Sequence, residues 1–554
     1  MDLRKLLKKP TEIDCEMSME VYSGFKEKPR RSLWLFGLES DQPTLQQRQE
    51  RASDISRKIG RVVEAQEIPT ADELTLPSPR IKPIDALSEF CFQNNYERAL
   101  HANCGGRQNF VHIGVPNPPD IVAHPRTNSE LEAILEWCDE ENYIVIPYGG
   151  GSSVVDGITP PIDSDRPVVT IDMDQFDQVL EIDTVSRSAL IQAGVYGPHL
   201  EDQLRPHGYT LRHFPQSFAG STLGGWIVTR AGGHYATNNT HIDDFVENVK
   251  MLSPRGWIET RRLPGDGAGP QPERLILGSE GILGLVTEAW MKIQDRPKYR
   301  ATAGILFSSW REGYEATRAI VQAKLWPANL RLLDAELGKE SAGLDGSQTL
   351  LIVGFEHASF SQRDSMTLAV EIARTAGGVI DDEDVLIDDG KGEPTGRGGA
   401  VGAWRDAFIP RGGGLEAGLG FLGGTVETAI TWDKWPDFDK FVRAEMNKAL
   451  IEICGGGTLN CRFTHVYVDG PAPYYTFAGA FPGDDPVAQS IAFKEAASDA
   501  IIKAGGTITH HHAVGRMHRK WYDQQRPDLF GDMIRAAKNA VDPKGILNPG
   551  VLID

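Results

Sequence analysis

A chain of 554 residues is too long for a single hydrophobic core and divides into two or three domains. Hydrophobic content of 40% and charged content of 24% describe an ordinary globular protein, with 58 glycines available for tight turns and close approach to a ligand. A formal charge of −20 argues against nucleic acid as a partner and confines any anion site to a local basic cluster.

The start, Met1–Pro10, has no apolar core long enough for a signal peptide, and no segment is apolar for long enough to span a bilayer. The end, Val551–Asp554, is not a peroxisomal tripeptide, so the cytoplasm is the expected compartment. The cysteines (15, 91, 104, 138, 454 and 461) form no C-x-x-C pair and no zinc spacing, which fits a reduced setting. Residues 1–84 are charged and weakly periodic, with an amphipathic helix predicted over 46–65 and a proline-rich linker over 76–80. A helix is predicted over 86–102, ending near Gly105 and Gly106.

From Pro118 to about Ile293, short β-branched strands alternate with helices. Strands are predicted over 120–124, 168–171 and 189–193. Helices are predicted over 128–142, with an Asn or Ser N-cap, and over 198–207, with proline in the first turn. Three glycine-dense loops punctuate this region. The first follows the apolar run Ile144–Ile146 and comprises Pro147, Tyr148, Gly149, Gly150, Gly151, Ser152 and Ser153. Consecutive amides in such a turn make a nest for phosphate oxygens, to which the two hydroxyls can add. Val154 breaks the Rossmann glycine spacing, and no Gly-Lys-Ser/Thr follows as a Walker loop requires.

The second loop spans 214–233, where 217–222 delivers amides and hydroxyls to the N-terminus of a helix predicted over 223–230. The third, 275–288, reads as a loop and then a strand. A ligand with several phosphates and a large planar ring needs all three. Residues 297–505 change to a separate βα pattern, with helices over 313–323, 360–375 and 434–453 and strands over 350–355, 463–467 and 475–480. The acidic, then glycine-rich stretch 381–399 reads as a mobile surface loop. The tail, a helix over 529–540 and a turn over 541–550, is expected to fold back onto the first domain.

In this order the three loops resemble the FAD-binding domain of the vanillyl-alcohol oxidase / p-cresol methylhydroxylase flavoprotein superfamily. Within it, residues 95–545 resemble the alkyldihydroxyacetonephosphate synthase family of ether-lipid enzymes. The matching stretches are Ile146–Ser153, Thr229–Gly232, Gly278–Glu288, Leu330–Asp334, Trp404–Asp406, Glu427-Thr428, Trp432-Asp433, Cys461–Tyr467 and Gly505–Gly515, whose His510, His511 and His512 are the sharpest signature. Gly232 stands where the family usually has Ser, and Ala513 where it has Gly. The segment 474–486 is one residue shorter, with Thr476 and Phe481 in place of Tyr, and the ending Asp542–Gly550 looks more like hydroxyacid dehydrogenases.

The resemblance implies an α+β fold: a two-subdomain PCMH-type FAD-binding domain (118–296), an α+β substrate or cap domain (297–505), a segment carrying the histidines and returning to the FAD domain (506–554), and an N-terminal helical extension (1–117). It implies FAD, bound non-covalently because the loops offer no His or Cys for attachment. The implied contacts are the seven residues of the first loop, then Gln216, Ser217, Gly220, Ser221, Thr222, Thr229, Arg230, Ala231 and Gly232, then Glu280, Gly281, Ile282, Leu283, Gly284, Leu285 and Val286.

Five residues are implied as catalytic. Tyr474 matches the family's base, a role for which neighbouring cations must lower a phenol pKa near 10; the histidines and Arg405 are the expected sources, and the alternative is a core tyrosine. Residues 507–509 read as a strand, which points His510 and His512 to one face and His511 to the other. Those histidines fit either a metal site with His518, for which no carboxylate or thiolate spacing speaks, or an anion and proton-transfer site, the preferred reading. Arg405 matches an arginine beside the reactive flavin nitrogen and, with Arg331, is expected to bind substrate; Arg331 alternatively pairs with Asp334, and either arginine alone reads as a surface ion pair.

The implied reaction is exchange of the acyl chain of acyl-dihydroxyacetone phosphate for a fatty alcohol. The alternative is an FAD oxidoreductase acting on a 2-hydroxy acid or alcohol, and a third reading is flavin binding without chemistry. A small-molecule or lipid substrate, peripheral membrane contact and a homodimer are the expected partners.

Overall fold

The computed structural model describes residues 29–554 apart from 35–36, 103–113, 116, 163, 236, 238, 393–394, 397, 409–417 and 481–484. The predictions around Met1–Pro10, Cys15, Cys104, Gly105, Gly106 and Phe481 lie outside the described residues.

Three sheets of four or more strands organise the described chain. The first has the order Cys91–Phe92, Ile121–Ala123, Val168–Asp172, Ile144–Tyr148, with the last three strands parallel. Strands buried on both faces must be apolar throughout, and Ile121–Ala123 and Ile144–Ile146 are at most 1% exposed. The helix Asn128–Glu140 covers one face, and its N-cap is Thr127, one residue before the expected start, whose side chain accepts from the Glu130 amide. The second sheet is antiparallel, in the order Val179–Asp183, Ser188–Gln192, Leu285–Lys292, Val246–Ser253, Gly256–Glu259.

The single helix predicted over 86–102 is not formed. A 3-10 turn at Asp85–Leu87, the strand Cys91–Phe92 and a helix at Asn95–Leu100 take its place. Apolar Cys91 and Phe92 pair antiparallel with Ala123 and Val122, and Asn94 caps the helix by accepting from the Glu97 amide. Edge pairing and a cap outweigh a weak helical period.

The third sheet has seven antiparallel strands in the order Leu386–Asp389, Tyr299–Phe307, Thr349–His357, Asn329–Leu333, Gly457–Val466, Pro471–Ala480, Phe421–Glu427. The helices Trp310–Gln322, Arg363–Thr375, Trp435–Cys454 and Pro486–Lys503 accompany it, and its core includes Phe307, Trp435, Phe463 and Phe493. The stretch 381–399 is not wholly a loop, because Leu386–Asp389 forms the edge strand against Tyr299–Thr302.

The C-terminal helix Asp528–Val541 and the turn after it close onto the first sheet. Val145 donates to the Ile546 carbonyl (2.8 Å), and Asn548 donates to the Val145 carbonyl (2.9 Å). Buried Lys538 clasps this return by donating to the carbonyls of Ile282 (3.0 Å) and Leu547 (2.7 Å) and to Asp542 (2.8 Å). Among the described residues no helix is long and apolar enough to cross a membrane.

Candidate active site

The three glycine loops line one cavity of about 500 Å³. In the first, Gly151 is left-handed (φ +70°), and the Gly150 and Ser152 amides donate to no backbone carbonyl among the described residues. A Cβ on Gly150 would lie 2.0 Å from the Gly220 carbonyl oxygen, so only glycine lets the first loop press against the second. Amides without chain acceptors on a cavity wall, flanked by the Ser152, Ser153 and Thr222 side chains, fit a pyrophosphate. The donor set therefore suits FAD.

Of the expected contacts, all line this cavity except Arg230, Ile282 and Leu283. Arg230 caps the helix Leu223–Thr229 in the left-handed region, and its exposed side chain pairs with Asp243 (2.8 Å). Ile282 and Leu283 are only 1% and 4% exposed and pack in the second sheet's core, which the alternation of a loop entering a strand conceals in sequence. Glu280 lines the cavity, and its carboxylate accepts from the Val514 (2.9 Å) and Gly515 (2.7 Å) amides. Burial pushes that carboxyl up to about 7, against the lowering effect of the two amides and Arg516.

The far strands of the third sheet bring polar side chains to the cavity. Arg462, Tyr474 and Glu427 are direct partners across three neighbouring strands, so their side chains share one face. The Arg462 guanidinium carbon sits 4.1 Å from the Tyr474 ring centroid. Tyr474 is 5% exposed and lines the cavity. Burial outweighs the opposing charge of Arg462 and the hydrogen bonds from Thr425 and Arg462, so the Tyr474 pKa stands above that of a free phenol and the expected net lowering is not met.

The histidine segment is not a strand. It wraps the buried Glu427 carboxylate, which accepts from the amides of His510 (2.8 Å), His511 (3.2 Å) and His512 (3.0 Å) and from the Thr509 hydroxyl (2.5 Å). One carboxylate gathering three successive amides forces a turn, and the alternation expected of a strand is lost. His511 stacks on Tyr474 (centroids 5.8 Å) and His512 meets it edge-on (5.4 Å), so these two share the tyrosine. His510 points elsewhere, bonding the Tyr467 hydroxyl (2.6 Å), which also bonds His241 (2.8 Å). Burial would push the Glu427 carboxyl up, but the adjacent His511 holds it well below the usual range. Burial lowers His512 to about 3 and takes His510 well below its ordinary value, so both imidazoles are neutral.

The grouping of His510, His512 and His518 is not formed, because His518 bonds the Ala513 carbonyl (3.1 Å). The histidines that approach one another are His465, His510 and His511, with ligand atoms within 4.8 Å.

Arg405 does not join Tyr474. It pairs with Asp406 (3.0 Å) and lines a second cavity of about 200 Å³ with His234 and Trp404. Arg331, fully buried, donates to the His234 carbonyl (2.9 Å) rather than pairing with Asp334. Asp334 instead caps the helix Ala335–Ser341 and binds Arg443 (2.9 Å). The cation beside Tyr474 is thus Arg462, which sequence reading passed over although an arginine inside the apolar strand 457–466 was a visible signal. Glu427, His241, His465 and Tyr467 were likewise given no role.

Comparisons with known proteins bear on the family and the fold. A family model described as an FAD binding domain matches residues 119–261, and one described as FAD linked oxidases, C-terminal domain, matches residues 296–552. The chain is similar to alkyldihydroxyacetonephosphate synthase of Dictyostelium discoideum, at 31% identity over 80% of this chain and 75% of that one. It is also similar to the Bacillus subtilis glycolate oxidase subunit GlcD, at 28% identity over 78% and 88% of the two chains. In fold it resembles a solved alkyldihydroxyacetonephosphate synthase (TM-score 0.73, 24% identity, 90% and 92% covered). Substrate-bound p-cresol methylhydroxylase shares the fold at a TM-score of 0.64, with 14% identity over 84% and 95%.

Proposed function

Because the chain belongs to the FAD-linked oxidases, as an alkyldihydroxyacetonephosphate synthase-like member that uses FAD, we propose that it exchanges the acyl chain of acyl-dihydroxyacetone phosphate for a fatty alcohol. The observation that carries this reading is the pairing of Tyr474 with Arg462 beside His511 and His512 on the wall of the flavin cavity. Such an exchange needs a base for a carbon acid, and a phenol does that work only with a cation against it. Arg462 is that cation. Tyr474, as the phenolate, takes the proton from the carbon that bears the acyl ester and becomes the phenol. His511, stacked on Tyr474 with its Nδ1 3.3 Å from the Glu427 carboxylate, then serves to accept a proton from the incoming alcohol. Bound FAD supplies an electrophilic ring beside which the substrate carbon is held, with no net electron transfer.

His510, Tyr467 and His241 form a hydrogen-bonded chain leading away from His511, a route by which protons can be exchanged. The lipid character of the substrate supports peripheral membrane contact. The likeness to a glycolate oxidase subunit favours the second reading, oxidation of a 2-hydroxy acid. One experiment separates them. Holoenzyme given acyl-dihydroxyacetone phosphate and a long-chain alcohol should release fatty acid while the flavin keeps its colour. Absence of exchange, together with anaerobic bleaching by a 2-hydroxy acid, would overturn the transferase reading.

A further inference from the structure

Residues 30–41 lie outside both matched regions, yet they contribute to the wall of the flavin cavity. Their described part forms a tight hairpin: Arg31 bridges Leu38, Ser32 donates to the Gly37 carbonyl (2.9 Å), and Glu39 donates to the Arg30 carbonyl (2.8 Å). Two anchors fix it. Trp34, 4% exposed, packs with Leu74, Ala99 and Ala102 and donates its indole N–H to the Pro69 carbonyl (2.8 Å). Arg31 spends its guanidinium on three acceptors: the Gly149 carbonyl (3.2 Å), the Tyr196 hydroxyl (2.8 Å) and Asp172 (2.6 Å).

Those bonds bolt the first glycine turn to the end of the strand Val168–Asp172. The turn has no slack on its other side either, since a Cβ on Gly149 would lie 2.2 Å from the Thr222 hydroxyl oxygen. With the hairpin so placed, Gly37, Leu38 and Asp41 line the cavity next to the first loop. Around His511 lie Gly232, Glu427, His465, Tyr474, His510 and His512, none of them among the three acceptors of the Arg31 guanidinium. The hairpin therefore belongs to a part of the cavity away from the reacting end. A flavin dinucleotide whose ring lies by Tyr474 and whose pyrophosphate lies on the first loop has only its adenosine half left to place there.

We propose that Gly37, Leu38 and Asp41, held in place by Arg31 and Trp34, form the adenosine-recognising wall of the FAD site. Leu38 offers apolar surface to the adenine, and the Asp41 carboxylate accepts from a ribose hydroxyl, the role a carboxylate plays in other dinucleotide sites. Arg31 is a positioning residue that holds the Gly149–Gly151 turn for the pyrophosphate. This assignment stands whichever reaction the flavin serves.

The test compares FAD with FMN, which lacks the adenosine half. Full-length protein stripped of flavin is titrated with each, and binding is read from flavin fluorescence. The double variant Leu38→Asp/Asp41→Ala should lose about tenfold or more in FAD affinity while its FMN affinity stays within about twofold of the parent. Equal losses for both flavins, or no loss for FAD, would overturn the proposal. Both side chains are exposed, so folding is not at stake. For Arg31, replacing the buried pair together (Arg31→Met with Asp172→Asn) avoids stranding a carboxylate. Holoenzyme carrying that pair should release FAD about tenfold faster on dilution, with unchanged circular dichroism. An unchanged release rate would remove Arg31 from the site.

Discussion

Arg462 and Tyr474 face each other across neighbouring strands, with the guanidinium carbon 4.1 Å from the ring centroid. Both are buried, and each shifts the other's titration. Burial lowers the arginine and raises the tyrosine, and their mutual attraction works against both changes.

Tyr474→Phe deletes one hydroxyl and keeps the ring, so packing should change little. If the phenol is the base, turnover should fall about 10²–10⁴-fold with FAD content and melting temperature preserved. A tyrosine with a purely structural role would lose about 1 kcal/mol of stability and keep its rate. Steady-state kinetics beside thermal melts tells these apart.

Arg462→Met should move the ascending limb of the pH–rate profile to higher pH. The argument runs on sign: Arg462 lowers the Tyr474 pKa, so its removal leaves burial unopposed and makes the phenolate harder to form. An unshifted limb with a uniformly lower rate would mean that Arg462 binds substrate and does not tune Tyr474.

Glu280 gives a pH dependence of known direction. Its folded value is raised to about 7 from 4.5, so the native state binds the extra proton, and the stability it contributes is fully present below about 4.5 and lost as pH rises toward 7. The gap corresponds to about 3 kcal/mol. Glu280→Gln should therefore gain on the parent by a few kcal/mol between pH 4.5 and 8 in denaturant titrations. A constant difference between the two proteins across that range would contradict this.

Lys538→Ala should unclasp the C-terminal return. Lys538 is 7% exposed and Asp542 is fully buried, so the variant leaves the carboxylate without its cation, held only by the Ile546 and Leu547 amides, and two carbonyls without the lysine donor. Breaking one partner of a buried pair costs about 3–5 kcal/mol. Loss of FAD on gel filtration should accompany it, because Asn548 donates to the backbone carbonyls of Gly157 and Glu280, both on the cavity wall.

FAD should leave the protein on acid precipitation. Cavity-lining His511 and His512 are committed to Glu427 and Tyr474, and no cysteine lines the cavity among the described residues. Colour retained in the washed pellet would show a covalent bond.

Much of the first domain could be read from the chain alone. Runs such as Ile144–Ile146 are apolar at every position because both faces of a parallel strand are covered, and a strand followed by Gly149–Gly151 leaves few conformations open to the backbone. These are local rules, legible without knowing what lies opposite. The same holds for the helix ends at Thr44, Ser309 and Asp334, where a side chain caps its own neighbours. The active-site geometry obeys no local rule. Residues 507–512 read as extended by alternation, yet Glu427, more than 80 positions away, collects the Thr509 hydroxyl and the amides of His510–His512, turning His511 and His512 to Tyr474 and His510 to Tyr467. Which arginine reaches Tyr474 was likewise settled by strand register: Arg462 is its direct cross-strand partner, whereas Arg405 sits on a helix beside the second cavity. Sequence determined the glycine loops that line the cavity, because glycine's freedom is a property of the residue. Tertiary structure decided the chemistry, because a buried charge has meaning only through the partners that folding brings to it.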